Sequence, residues 1–147
     1  MPELRLHTAD EAATAAWATR LAARAAPGDV LLLSGPLGAG KTAFARAFIR
    51  ALAADPDLEV PSPSFTLVQT YRTPAVAIHH YDLWRLTGPA ALEELGWDEA
   101  QSGIVLVEWP DRLGSLTPPH ALHILISLPG QGREIILAGA QRWFDAD

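Results

Sequence analysis

Val30-Leu31-Leu32-Leu33-Ser34-Gly35-Pro36-Leu37-Gly38-Ala39-Gly40-Lys41-Thr42-Ala43-Phe44-Ala45-Arg46-Ala47-Phe48-Ile49, residues 30–49, is the stretch that decides the fold. Its first five residues form an apolar run of the length and type of a buried strand, and its last nine place Phe44 and Phe48 one helical turn apart. Between them, Gly35 to Thr42 matches G-x-x-x-x-G-K-[ST] in full, in the strand-then-helix setting that the motif requires. Glycine lets the backbone take positive φ and come close to an anion, so the amides of Gly35, Gly38, Ala39 and Gly40 can converge on a phosphate at a helix N-terminus. Lys41 then brings a point charge to the β- and γ-phosphates, and the Thr42 hydroxyl brings a ligand for Mg²⁺. A glycine turn that merely packed would need neither group. Lys41 is also the only lysine among 11 basic residues, so a chain that otherwise uses arginine keeps its one lysine here.

The 147 residues suffice for one domain with a substantial core, and the expected unit is a single domain over residues 1–147. With 49% hydrophobic and 19% charged residues, the composition is that of a globular chain. There is no cysteine, which excludes disulfides and thiolate metal sites. No charged-then-apolar leader is present, and no apolar run approaches the ~18 residues of a membrane span, so the expected location is the cytoplasm, with no membrane contact. The formal charge of −6 comes with scattered arginines and no basic patch. Nucleic-acid binders draw affinity from neutralising phosphates, so any contact with RNA is expected to be indirect, through a partner.

Outward from the central stretch, Leu4 to His7 alternates like a strand, and Thr8-Ala9-Asp10-Glu11 reads as a capping box opening a helix towards Ala26. Phe65 to Tyr71 and Ala75 to Asp82 read as one hairpin, and Ala121 to Leu128 with Arg133 to Ala138 as another. A helix is expected between Leu86 and Gly96, with Pro89 in its first turn. Val30–Ser34 and Ile104–Val107 look buried on both faces and therefore parallel, while both hairpins are expected to add antiparallel strands. The fold class is α/β: a P-loop NTPase-like, three-layer domain with a mixed parallel and antiparallel sheet.

A P-loop site needs a carboxylate near its metal. Two acids end apolar strand patterns. Glu108 follows Gly-Ile-Val-Leu-Val, and it faces Thr42 if its strand lies parallel beside residues 30–34, since ligands sit beyond the carboxyl ends of such strands. Asp82 follows Ala-Val-Ala-Ile-His-His-Tyr, and its place depends on how the hairpin lies. Ser62 to Thr66 carries hydroxyls between the P-loop helix and the hairpin, and reads either as a proline-stiffened loop or as a segment that senses the γ-phosphate. His79 and His80 are adjacent, so in a strand they point to opposite faces and cannot jointly clasp a metal. Trp109, next to Glu108, is placed to seal or report the cleft.

Taken together, Gly35 to Thr42, Ser62-Pro63-Ser64-Phe65-Thr66-Leu67-Val68, His79-His80-Tyr81-Asp82-Leu83-Trp84-Arg85-Leu86, Leu106-Val107-Glu108-Trp109-Pro110 and Gly132-Arg133 resemble the TsaE family of bacterial P-loop ATPases in order and spacing. The resemblance implies Mg²⁺-dependent binding and hydrolysis of ATP to ADP in the biosynthesis of threonylcarbamoyladenosine at adenosine 37 of tRNAs that read codons starting with A. It implies roles for Asp82 and Glu108 around Mg²⁺ and the hydrolytic water, with Thr42 as a further metal ligand and Lys41 stabilising charge. Ser64 and Thr66 would lie in a switch-like segment, and Arg133 near the nucleotide. The implied partners are TsaD and TsaB, the two other subunits of the threonylcarbamoyl transferase assembly, which would hold the tRNA. Pro36 stands where the family usually has Asp or Asn, which removes one backbone donor from the loop. Two other readings remain open on the residues: a nucleotide-gated binding module that hydrolyses little, and a small-molecule kinase, although no lid insertion separates Pro89 from Glu108. No Asn-Lys-x-Asp guanine motif is present, which leans towards adenine.

Overall fold

The structure, a computed structural model, describes residues 2–145. The elements in chain order are β1 (Glu3–Thr8), α1 (Glu11–Ala22), β2 (Val30–Ser34), α2 (Lys41–Ala53), β3 (Val68–Arg72), β4 (Ala77–Asp82), α3 (Trp97–Ala100), β5 (Ile104–Glu108), β6 (Leu122–Ser127) and β7 (Arg133–Ala138). Short 3-10 segments at Pro89–Leu95 and Pro110–Leu116 flank α3 and β5. The strands form one seven-stranded sheet in the order β1-β7-β6-β2-β5-β4-β3.

The centre is parallel and wider than the sequence pattern suggested. β2 runs parallel to both β5 and β6, and β5 runs parallel to β4. Each hairpin thus joins the sheet through a strand aligned with the centre, and only β3, β7 and β1 run antiparallel to their neighbours. The reason it was hidden is side-chain polarity. His79 and His80 interrupt the apolar run of β4, and β6 alternates buried and exposed residues as a one-sided strand does.

Side-chain alternation sorts the core into two layers. On one face Leu31, Leu33, Ile78, Ile104 and Leu106 lie under α1 and α2, which bury Ala18, Leu21, Phe44, Phe48 and Ile49. Emptying the site of either phenylalanine would cost about 3–5 kcal/mol. On the other face Val30, Leu32, Val105, Val107 and Tyr81 meet Leu83, Leu92, Trp97 and Leu113. Tyr81 and Trp97 pack edge to face with centroids 5.3 Å apart, and the Tyr81 hydroxyl donates to the Leu95 carbonyl at 2.9 Å. Burial, helped by the nearby Glu99 carboxylate, pushes that phenol up to about 12.

Two local expectations shift. The α1 cap is Asp10, whose Oδ1 accepts from the Ala13 amide at 2.9 Å, and not Thr8. Pairing of β1 with β7 extends through Thr8↔Arg133, so the chain stays extended and the helix begins two residues later. Thr8 instead shares a 2.6 Å hydroxyl contact with Thr14. The segment after Pro89 forms a 3-10 helix, with Pro89 at its start as expected and Gly96 closing it at φ 71°.

Candidate functional site

Because β4, β2 and β5 point the same way, their carboxyl ends converge at one edge of the sheet, where α2 begins. The P-loop spans from β2 to α2 with Gly38 and Gly40 at φ 84° and 104°. Gly35 has φ 146°, and a Cβ there would stand 2.3 Å from the Ile126 carbonyl oxygen, so only glycine lets the loop leave β2 past β6. Gly40 caps α2 without a side-chain hydrogen bond, so the first-turn amides of the helix, with its positive dipole end, face the cleft.

That cleft, of about 260 Å³, is lined by Leu37, Gly38, Gly40, Lys41, Thr42, Ser62, Ser64, Asp82, Glu108 and Trp109. The Thr42 hydroxyl lies 2.9 and 3.1 Å from the two oxygens of Glu108, which is only 2% exposed. The parallel register sets Asp82 directly opposite Glu108. Asp82 Oδ1 accepts the Trp84 amide at 3.0 Å, and Oδ2 lies 3.4 Å from the Ser64 hydroxyl, which is itself 2.7 Å from that of Ser62.

Lys41 is buried, and its Nζ donates to the Gly35 carbonyl at 2.5 Å and to that of Pro36 at 3.3 Å. It also stands 3.6 Å from the centroid of the Trp109 ring, which in turn contacts Trp84 at 4.4 Å. Burial lowers the Lys41 ammonium below its ordinary 10.5, partly offset by the carboxylates of Glu108 and Asp82. Trp109 takes φ 58°, a left-handed conformation that costs a bulky residue about 1–3 kcal/mol and that aims its ring over Lys41.

A second cleft of about 330 Å³ lies on the other side of the P-loop, lined by residues that include Asp10, Thr14, Gly38, Gly40, Gly132 and Arg133. Arg133 Nε donates to the Ala39 carbonyl at 2.8 Å, tying β7 to the loop. Gly132, at φ 73°, passes so near β1 that a Cβ would meet the Thr8 carbonyl oxygen at 2.4 Å.

The structure therefore brings Gly38, Gly40, Lys41, Thr42, Ser64, Asp82 and Glu108 together, with Ala39 behind the loop and Arg133 on its far side. Thr66 is not among them: it is exposed, and its hydroxyl accepts from the Gln69 side chain at 3.3 Å. One residue was missed. His80 is fully buried, and its Nε2 lies 2.7 Å from Glu108 Oε2. The signal was its position two residues before Asp82, on the same face of a strand that ends beside Glu108.

The hydroxyl and carboxylates are hard oxygen donors of the kind Mg²⁺ accepts from a protein when phosphates and water complete its shell. Among the described residues no group of three or more His, Cys, Asp or Glu is placed to hold a metal ion by itself. The donor set fits Mg²⁺ bound with a nucleotide.

The family model for threonylcarbamoyl adenosine biosynthesis protein TsaE matches residues 8–135, most of the chain and all of this site. The chain belongs to the TsaE family. Relatives include the tRNA threonylcarbamoyladenosine biosynthesis protein TsaE of Rickettsia felis, 36% identical over 86% of this chain and 74% of that one. The protein of the same name from Bacillus subtilis is 38% identical over 92% of this chain and 85% of its own length. The crystal structure of YdiB from Bacillus subtilis superposes with a TM-score of 0.80 at 33% identity, covering 97% of this chain and 90% of that one. This TsaE-family chain is thus a protein of threonylcarbamoyladenosine biosynthesis on an α/β fold with a mixed sheet. Among its described residues no helix is long and apolar enough to cross a membrane.

Proposed function

We propose that the chain binds and hydrolyses Mg²⁺-ATP, and that this turnover serves threonylcarbamoyl transfer to adenosine 37 of tRNA by TsaD and TsaB in the cytoplasm. The observation that carries the reading is the Thr42–Glu108 contact at the start of α2, inside the cleft that also holds Lys41. The phosphates take the acid-lined cleft, and the ribose and base take the cleft beside Arg133, with Gly38 and Gly40 as the shared wall. The amides of the P-loop and of the first turn of α2 donate to the β-phosphate. Lys41 leaves the carbonyls of Gly35 and Pro36 to meet the β- and γ-phosphates, where it stabilises charge as it builds at the transferring phosphoryl group.

Thr42 and Glu108 would hold Mg²⁺, which when bound would supply neutralisation of phosphate charge. Asp82, opposite Glu108 and steadied by the Trp84 amide, shares the task of orienting the attacking water. Ser64 is linked to that acid through its hydroxyl contact. The net charge of −6 supports a division of labour in which the partners grip the tRNA.

The test measures ATP turnover by the chain alone, with TsaD and TsaB, and with both plus EDTA. Turnover that rises with the partners and stops on chelation is expected. Tight ATP binding without ADP formation under all three conditions would instead favour a nucleotide-gated binding module.

A further inference from the structure

His80 lies on the face of β4 that packs under α2, in a layer otherwise built from Ile78, Ile104 and Leu106. An apolar residue would fill that position without any hydrogen-bonding demand. The histidine brings one, and the structure meets it by half: Nε2 reaches Glu108 Oε2 at 2.7 Å, while the buried Nδ1 has no partner. Among the described residues Nδ1 has no hydrogen-bond partner, so the ring N–H belongs on Nε2, where the carboxylate accepts it, and the unpartnered atom is an acceptor and not a donor. A buried, half-satisfied ring is a costly way to fill a core. The contact it does make is to the one acid that also touches Thr42.

We propose that His80 is a positioning residue for the metal site. Its hold on Oε2 fixes the side-chain torsions of Glu108, so that the carboxylate stays turned towards the Thr42 hydroxyl and the two present a ready-made oxygen pair to a divalent cation. Without it, Glu108 can swing between Thr42 and the cleft, and each binding event must freeze that motion first. The histidine does not touch the cation or the nucleotide; it acts only through Glu108, as outer partners of metal ligands do. The inference rests on the Mg²⁺-nucleotide reading above.

The experiment titrates Mn²⁺, followed by loss of its free electron-paramagnetic signal, into protein saturated with a non-hydrolysable ATP analogue. Nucleotide affinity in EDTA is measured beside it. His80→Leu is expected to raise the half-saturating metal concentration about tenfold or more, the effect typical of lost outer-shell partners, while affinity in EDTA stays as in the wild type. His80→Gln, whose amide nitrogen reaches the place of Nε2, should restore metal binding to within about threefold of the wild type, whereas the shorter His80→Asn should resemble the leucine variant. If His80→Leu does not fold, as judged by thermal melting, the contrast between Gln and Asn carries the test. Wild-type metal binding in the leucine variant, or equal losses in Gln and Asn, overturns the positioning role and leaves the Mg²⁺ reading standing. A wild-type protein indifferent to Mn²⁺ overturns both.

Discussion

The two clefts that share the P-loop as a wall are similar in size and unlike in construction. The acid-lined one is built at the ends of parallel strands: Glu108 and Asp82 sit in register with each other, and Thr42 opens the helix that follows β2. The other is built where turns meet helix and strand starts, with Asp10 from the β1–α1 connection, Thr14 from α1, and Gly132 with Arg133 from the β6–β7 hairpin. The first carries groups that can stabilise or accept charge within hydrogen-bond reach of one another. The second offers shape, and one arginine already committed to the loop's own carbonyl at Ala39. On the proposed function, chemistry falls on the rigid, doubly buried centre, and recognition on the rim where antiparallel strands and turns can vary.

The strongest way to break this division is Lys41→Ala. Losing the ammonium from the acid-lined side should lower ATP turnover in the reconstituted assembly about 10²–10³-fold, the scale of a lost transition-state donor. Steady-state phosphate release checks it; near-normal turnover would falsify the assignment of chemistry to that cleft. Arg133→Ala probes the other side. It should weaken ATP binding about tenfold, or about 1.4 kcal/mol, with kcat changed far less. A fall confined to kcat would mean that the second cleft takes part in the reaction and not only in binding.

Gly132→Ala sharpens the same comparison through stability. The added Cβ would run into the Thr8 carbonyl oxygen at a positive φ, and the His7 ring stands 2.9 Å away; the ring can turn aside, but the backbone oxygen cannot. A loss of about 2 kcal/mol is expected, lowering Tm by roughly 4–8 °C. Thermal melting reads it, and an unchanged Tm would show that the rim yields more than its geometry suggests.

The smallest effect concerns pH. Burial lowers the folded-state pKa of Lys41, so between that value and 10.5 the unfolded chain binds more protons than the native one. Nucleotide-free stability should therefore rise with pH as Lys41 deprotonates. The window closes near 10, where Tyr71 and Tyr81, both raised by burial, begin to act in the opposite sense. Denaturant melts of wild type and Lys41→Met isolate the lysine: equal slopes with pH in the two proteins would mean that it makes no such contribution.

The acid-lined cleft was legible because its residues stand at strand ends and motif offsets, which sequence displays directly. The P-loop and the strand ending in Glu108 needed only a pattern of apolar runs and glycines. Asp82 stayed open because its placement hung on the direction of β4, and direction is set by a crossover connection and not by the strand's own residues. His80 escaped for a related reason: its burial comes from the neighbour in the sheet, while its residue type argues for exposure. Arg133 was reachable only through family resemblance, since its link to Ala39 spans 94 residues. Thr66 is the one hydroxyl of the Ser64 and Thr66 pair that the structure leaves exposed and outside the cleft lining.

The link between β7 and the P-loop also sets an order of assembly. β1, α1, β2 and α2 leave the ribosome early, yet among the described residues β1 pairs in the sheet with β7 alone, and the loop gains its arginine tie from the same strand. Until β7 exists, the early half holds an unpaired edge and a loop without its anchor. Contacts this distant in sequence slow folding and leave strand edges open to wrong partners. The P-loop, made in the first third of the chain, is among the last parts of the molecule to be finished.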